Sequence, residues 1–131
     1  MEKRLIKSKK RVREFGEVFT PERVVKAMCD LIPASVWKKV DSKFLEPSCG
    51  NGNFIVEILR RKLEHCENEA DVMKAYDSIY GIDIQQDNVE EAKERMITMC
   101  PDNVDKAKLK LHIMCGDSLE IMRKMDGGSD E

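Results

Sequence analysis

Three short apolar runs, each leading into an acidic residue and each followed by a helical pattern, constrain this chain more than any other feature. Phe44-Leu45 ends in Glu46, Ile79 to Ile82 ends in Asp83, and the alternating stretch Lys108 to Cys115 gives way to Gly116-Asp117. Between them, Phe54, Ile55, Ile58, Leu59 and Leu63 predict a helix over 53–67, and Val72, Met73 and Tyr76 a shorter one over 68–76. Val89, Ala92, Met96 and Met99 share one face of a helix over 87–99, which Pro101 closes. A last helix is expected from Ser118 to Met125. Upstream, Thr20-Pro21 reads as a helix start, with threonine accepting from the first-turn amides and proline at the first helical position. Val24, Val25, Met28, Leu31 and Ile32 carry that helix to Pro33, and a short turn over 35–40 holds Trp37. Strand, helix, strand, helix, strand is the pattern of an α/β fold with a parallel sheet and right-handed crossovers. The run 79–84 is nearly all apolar, as in a strand covered on both faces. The strict alternation over 108–115 predicts a half-buried strand at the sheet edge.

Charge is unevenly placed. Residues 1–13 hold seven Lys or Arg and one acid, while the whole chain is at −2. A basic arm (Lys3 to Arg13) on an acidic body suits a contact with nucleic acid; a solvated, partly disordered terminus is the other reading. Residues 1–14 are taken as this arm, 15–125 as one folded unit and 126–131 as a frayed tail. No apolar run approaches the ~20 residues that cross a bilayer, and no apolar stretch follows the basic start, so a cytoplasmic protein is expected. The five cysteines form no closely spaced pair, and with two histidines they offer no metal-ligand pattern. They read as reduced, mostly buried thiols.

The chemistry concentrates at the strand ends. Ligands of open parallel sheets bind beyond the carboxyl ends of the strands. Gly50 and Gly52 let backbone approach a ligand there, and the amides near Asn53 favour a ligand's negative end, such as an amino-acid carboxylate. Glu46 can receive a cationic or hydroxyl donor. Asp83 suits a ribose diol, two hydroxyls against two oxygens, at ~1.5–3 kcal/mol per charge-assisted bond. Ile84 would lie against a purine face, or simply pack in the core. Asp117 can accept from an adenine amine, cap the final helix, or do both. Gly50-Asn51-Gly52 is followed by Ile55 and not by a third glycine, which argues against a dinucleotide dehydrogenase.

Taken together, Phe19-Thr20-Pro21, Glu46-Pro47-Ser48-Cys49-Gly50-Asn51-Gly52, Gly81-Ile82-Asp83 and Gly116-Asp117-Ser118 resemble the S-adenosylmethionine-dependent adenine-N6 DNA methyltransferases of restriction-modification systems. The resemblance covers residues 15–120. It implies that Phe19, Thr20 and Pro21 touch the methionine end of adenosylmethionine. It assigns Glu46, Pro47, Ser48, Gly50, Gly52 and Phe54 to the first cofactor loop, Asp83 and Ile84 to ribose and adenine, and Asp117 and Ser118 to the adenine amine. The implied fold is an incomplete Rossmann-like methyltransferase fold, a three-stranded parallel sheet of order 3-2-1 with flanking helices.

That family also carries an Asn/Asp-Pro-Pro-Tyr/Phe segment, which accepts from the target amine and stacks on the flipped base. No such tetrapeptide occurs in residues 1–131. The expectation is therefore a cofactor-binding part without its catalytic motif or target-recognition region, inactive alone, with no catalytic residue assigned. The 3-2-1 order leaves the Phe44-Leu45 strand as an open edge, which predicts pairing with a second polypeptide or self-association. The alternatives are a methyltransferase-fold binding module without chemistry and a methyltransferase for RNA, protein or small molecules.

Overall fold

A computed structural model of the chain describes residues 4–126. Its centre is a parallel sheet of three strands, β1 (Phe44–Glu46), β2 (Ile79–Asp83) and β3 (His112–Cys115). The order is β1-β2-β3, which is the expected 3-2-1 read from the other side. Phe44 pairs with Ile79 and Tyr80 with His112, so Glu46, Asp83 and Cys115 all stand at the carboxyl end of the sheet. Both β1 and β3 are edges.

The basic arm is more ordered than its composition suggests. Lys9–Phe15 forms α1, with the Ser8 hydroxyl accepting from the Arg11 amide at 3.0 Å. Gly16 ends it at φ 63°, a left-handed cap that glycine adopts without steric cost. Arg11 and Lys7 are not free in solvent; they hold acids elsewhere in the fold. The partly disordered terminus thus gives way to a folded one from residue 4 onward. Residues 1–3, and the expected frayed tail after Asp126, lie outside the described residues.

α2 (Glu22–Cys29) starts later than the sequence suggests. Pro21 is the cap, with extended ψ of 150°, and no side chain caps this helix. Thr20 therefore does not play the capping part expected of it. Its carbonyl instead accepts from Asn53 Nδ2 at 2.8 Å, which draws this segment onto the glycine loop. The helix α3 (Ala34–Lys38) places the buried Trp37 flat on Phe44, with ring centroids 5.3 Å apart.

Asn53–Leu63 forms α4 and Glu69–Asp77 forms α5. The expected run to residue 67 ends early because the amides of His65 and Cys66 fold back on the carbonyls of Lys62 and Leu63. Asn68 then caps α5 by accepting from Asp71 at 2.8 Å. α6 (Gln86–Thr98) follows β2, and α7 (Ser118–Met125) follows β3. Strand β3 is half the length that the alternation implies. Asp105 caps a 3-10 turn over Lys106–Lys108, and pairing with β2 begins only at His112, opposite Tyr80. Ile113 is buried as expected, but Cys115 at the strand end is exposed.

Helices α2, α4 and α6 pack on one another over the sheet. Ile55, Leu59, Ala75, Tyr76, Ile79, Ala92 and Met96 are fully buried, and the Tyr76 hydroxyl donates to the Met96 carbonyl at 2.8 Å. Cys29, Cys49 and Cys100 belong to this core as small apolar groups.

One charge is fully enclosed. Lys62 is 0% exposed and donates to the carbonyls of Val40 at 2.8 Å and Ser42 at 2.5 Å, with its ammonium 4.9 Å from the Phe44 ring. It therefore fixes the loop that feeds β1. Burial pulls its pKa down from 10.5 to about 8. The unfolded chain then binds the proton more tightly than the folded one. The penalty is complete below pH 8 and fades as pH rises from 8 towards 10.5. Wild type is expected to gain stability relative to Lys62→Met over that window, read as urea midpoints at pH 7 and pH 10. The thiols titrate in both proteins and largely cancel; midpoints that move in parallel would refute the assignment.

Candidate functional site

A cleft of about 190 Å³ opens beyond the carboxyl ends of β1 and β2. The segment from Phe15 to Thr20 forms one wall, contributing Phe19 and Thr20 among the residues expected there. Glu46, Ser48, Gly50 and Phe54 form the floor, and Asp83 and Ile84 the far side. The remaining expected residues lie elsewhere. Pro21, Pro47, Gly52, Asp117 and Ser118 do not line this cleft. Asp117 caps α7, its Oδ1 accepting from Leu119 at 2.9 Å and Glu120 at 3.4 Å.

The two loop glycines are needed for different reasons. Gly50 and Gly52 have φ of 54° and 97°, which side chains on Cβ disfavour. A Cβ on Gly50 would stand 3.0 Å from the Phe19 ring, and one on Gly52 would stand 3.0 Å from Ala92 Cβ. The obstacle at Gly52 is thus helix α6, not a ligand. The sequence reading of both glycines as making room for a ligand holds no geometric support at Gly52, which is buried.

Asp83 organises the site. It is 8% exposed; its Oδ1 accepts from the Gly50 amide at 3.0 Å. Its Oδ2 accepts from the Gln85 amide at 3.0 Å and from Asn88 Nδ2 at 2.9 Å. One carboxylate therefore joins the glycine loop after β1 to the start of α6. An ionised carboxylate has about four acceptor positions, so three are already taken.

Glu46 is different. Its one protein hydrogen bond is from the Ser48 amide, at 3.3 Å. Burial raises its pKa, only partly offset by that amide. It is the cleft acid with acceptor capacity to offer. The neighbouring Cys49 thiol is pushed up to about 12 by burial and then by the charges of Asp83 and Glu46, so it stays protonated and is no nucleophile at neutral pH.

The sequence reading missed the residues behind this lining. Glu17 also faces the cleft, yet both of its oxygens are engaged. Arg11 Nε meets Oε1 at 2.9 Å, and Arg11 Nη2 and Asn88 Nδ2 donate to Oε2 at 3.0 and 2.7 Å. Arg11 also grips Asp87 through two bonds of 2.9 and 3.0 Å, and Lys7 reaches Asp87 and Glu91, each at 3.0 Å. Hydrogen bonds from Arg11 and Lys7 hold the Asp87 carboxyl far below the usual carboxylate range, against the effect of burial. No pattern sets Glu17 apart from the nearby Glu14, and nothing in the pattern marked Asn88.

Three acids, Glu17, Glu46 and Asp83, line this cleft, and among the described residues no Lys or Arg does. A phosphate-bearing ligand would meet repulsion here, whereas a cationic one is favoured. A family model described as N-6 DNA Methylase matches residues 5–129. The chain belongs to that family. It is also 27% identical over 85 residues to the Type II methyltransferase M.VspI of Vibrio sp. (strain 343). The aligned part is 65% of this chain and 17% of that relative, so the chain spans a small part of it. Family members take a methyl group from S-adenosylmethionine, a sulfonium and an amino acid in one molecule, which fits an acidic cleft. Among the described residues no helix is long and apolar enough to cross a membrane.

The glycine geometry makes a stability prediction. Gly52→Ala is expected to cost about 1–3 kcal/mol through its backbone conformation and the Ala92 contact. Adding Ala92→Gly removes the contact but not the conformational cost, and should restore only part of the loss, if any, given its own helix penalty. Chemical denaturation of both variants measures this; an unchanged midpoint in Gly52→Ala would refute it.

Proposed function

We propose that this chain forms the adenosylmethionine-binding part of a site-specific adenine-N6 DNA methyltransferase. The observation that carries the reading is the acidic cleft, free of basic side chains, between the Phe19-Thr20 wall and the tips of β1 and β2. When bound there, adenosylmethionine supplies an electrophilic sulfonium methyl group. Glu46 faces the ligand's positive charge, because it alone of the three acids keeps most of its acceptor capacity. Asp83 receives ribose, and the exposed Ile84 side chain offers an apolar surface for the base. The first-turn amides of α4, where no side chain caps the helix, face the ligand's carboxylate. Asp117 and Ser118, outside the cleft, would close on the adenine amine.

On this reading residues 1–131 bind the donor, and an Asn/Asp-Pro-Pro-aromatic segment outside them holds the target adenine. The chain alone then transfers no methyl group. The open edge of β1 is where the rest of the sheet would attach: Leu45 is 40% exposed, although Phe44 is covered by Trp37 and Lys62. A second polypeptide or a second copy of the chain would pair there. The basic arm would meet DNA through Lys9, Lys10 and Arg13, which are exposed, since Lys7 and Arg11 are held internally.

Calorimetry tests the cofactor assignment. Glu46→Gln is expected to weaken adenosylmethionine binding about tenfold or more, the worth of one charge-assisted bond, with a urea midpoint that does not fall, since burial disfavours the charge it removes. Wild-type affinity should also fall with acid, and start to fall at a higher pH than an ordinary carboxylate would give, because only the ionised Glu46 attracts the cation and its pKa is raised. Absence of binding heat in wild type would remove the reading. For the edge, sedimentation of wild type and Leu45→Lys should show association lost in the variant; a monomeric wild type at high concentration would refute self-association.

A further inference from the structure

The nitrogen of a single side-chain amide sits between two acids of the cleft. Asn88 is 0% exposed, in the first turn of α6, and its Nδ2 donates to Glu17 Oε2 at 2.7 Å and to Asp83 Oδ2 at 2.9 Å. Both of its amide hydrogens are thereby used. Its Oδ1 is buried with no partner. The reversed orientation would aim that oxygen at two carboxylates, so the acids on either side fix which way the amide faces. Leaving a buried carbonyl unpaired is costly. The arrangement persists because turning it over would cost more.

With Asn88 and the Gln85 amide both on Oδ2, that oxygen of Asp83 is saturated. Oδ1 holds only the Gly50 amide and keeps one position open. We propose that Asn88 is a positioning residue of the cofactor site: it occupies Oδ2, so that Asp83 accepts one ribose hydroxyl through Oδ1 and not the diol through both oxygens. Glu17 is the anchor on the other side of the amide, and Arg11 holds Glu17. The basic N-terminal helix is therefore part of the ribose site. This departs from the two-hydroxyl geometry expected from the sequence, and it rests on the adenosylmethionine reading of the cleft.

The test uses calorimetry of the full chain with S-adenosylhomocysteine and its 2′-deoxy and 3′-deoxy analogues. In wild type, loss of the hydroxyl that Oδ1 accepts should weaken binding about tenfold, and loss of the other about two- to threefold. In Asn88→Ala, Oδ2 is freed and the Asp83 carboxylate can turn. The ratio between the two analogues should then fall towards one. A purely structural role for Asn88 would weaken all three ligands by the same factor and leave the ratio intact, and that result overturns the proposal. Equal penalties for the two analogues in wild type overturn it as well. If Asn88→Ala does not fold, by circular dichroism, Glu17→Ala is read in the same way, since it removes the anchor and leaves the α6 core untouched. Wild type that binds S-adenosylhomocysteine with an unaltered ratio in the variants refutes this proposal alone. Wild type that binds none of the three refutes the cofactor reading and this proposal with it.

Discussion

The Asp83 carboxylate is the joint on which the site depends. It stands at the tip of the central strand and is nearly enclosed. Two backbone amides and one side-chain amide point at it. A buried charge without such donors would be strongly disfavoured. With them, the charge fixes two chain segments that no strand pairing reaches, the loop after β1 and the cap of α6. Gly50 presents its amide to Asp83 and, at positive φ, turns the chain away towards α4. The glycine and the acid are thus two halves of one constraint. Removing either would leave a donor or an acceptor buried without its partner.

The basic arm has a comparable double character. Its excess of positive charge invites a nucleic-acid reading, and exposed Lys9, Lys10 and Arg13 keep that open. Lys7 and Arg11, however, point inward. Burial alone would lower the Lys7 pKa, but bonds to Asp87 and Glu91 outweigh it and raise it. Arg11 is shared between Asp87 and Glu17, and the Phe19 amide donates to the Leu5 carbonyl at 2.7 Å. These contacts draw residues 5–20 over the cleft, so that its wall and its charge balance come from the part of the sequence that looked least structured.

Much of the fold was legible because its cause is local. Apolar runs at 44–45 and 79–84 and helical spacing read over 53–67 and 87–99 report burial directly, and the acids at the strand tips could be placed beyond the sheet on the same grounds. What failed to show was set by distant partners. The alternation of Leu109 and Leu111 continues ahead of the first paired residue, His112, because the chain before them is taken up by the 3-10 turn that Asp105 caps. Thr20 reads as a cap, but Asn53, far away in sequence, takes its carbonyl. Gly52 reads as room for a ligand, but Ala92 is what fills that room. Asn88 lies in an ordinary amphipathic helix, and only the return of Glu17 from the other end of the chain reveals its position. Three of the four segments that carry the resemblance contribute residues to the cleft, while Gly116-Asp117-Ser118 does not, and the resemblance carries nothing about which atoms are still free there.

That last distinction decides how the cleft can receive a cation. Three acids sit around one small space, and their charges oppose one another. Glu17 is relieved by a guanidinium and an amide, and Asp83 by three donors. Glu46 has a single long bond and a raised pKa, so it bears the remaining electrostatic cost of the cleft. A positively charged ligand lowers that cost most where it is least compensated. The gradient from Glu17 through Asp83 to Glu46 therefore gives the cleft a direction as well as a sign. Hydroxyl donors suit the end at Asp83, where one acceptor position remains, and the positive end of a ligand suits Glu46. Adenosylmethionine carries both features at opposite ends of a ribose. In a site of this kind the orientation of the ligand follows from which carboxylate the protein has left unsatisfied.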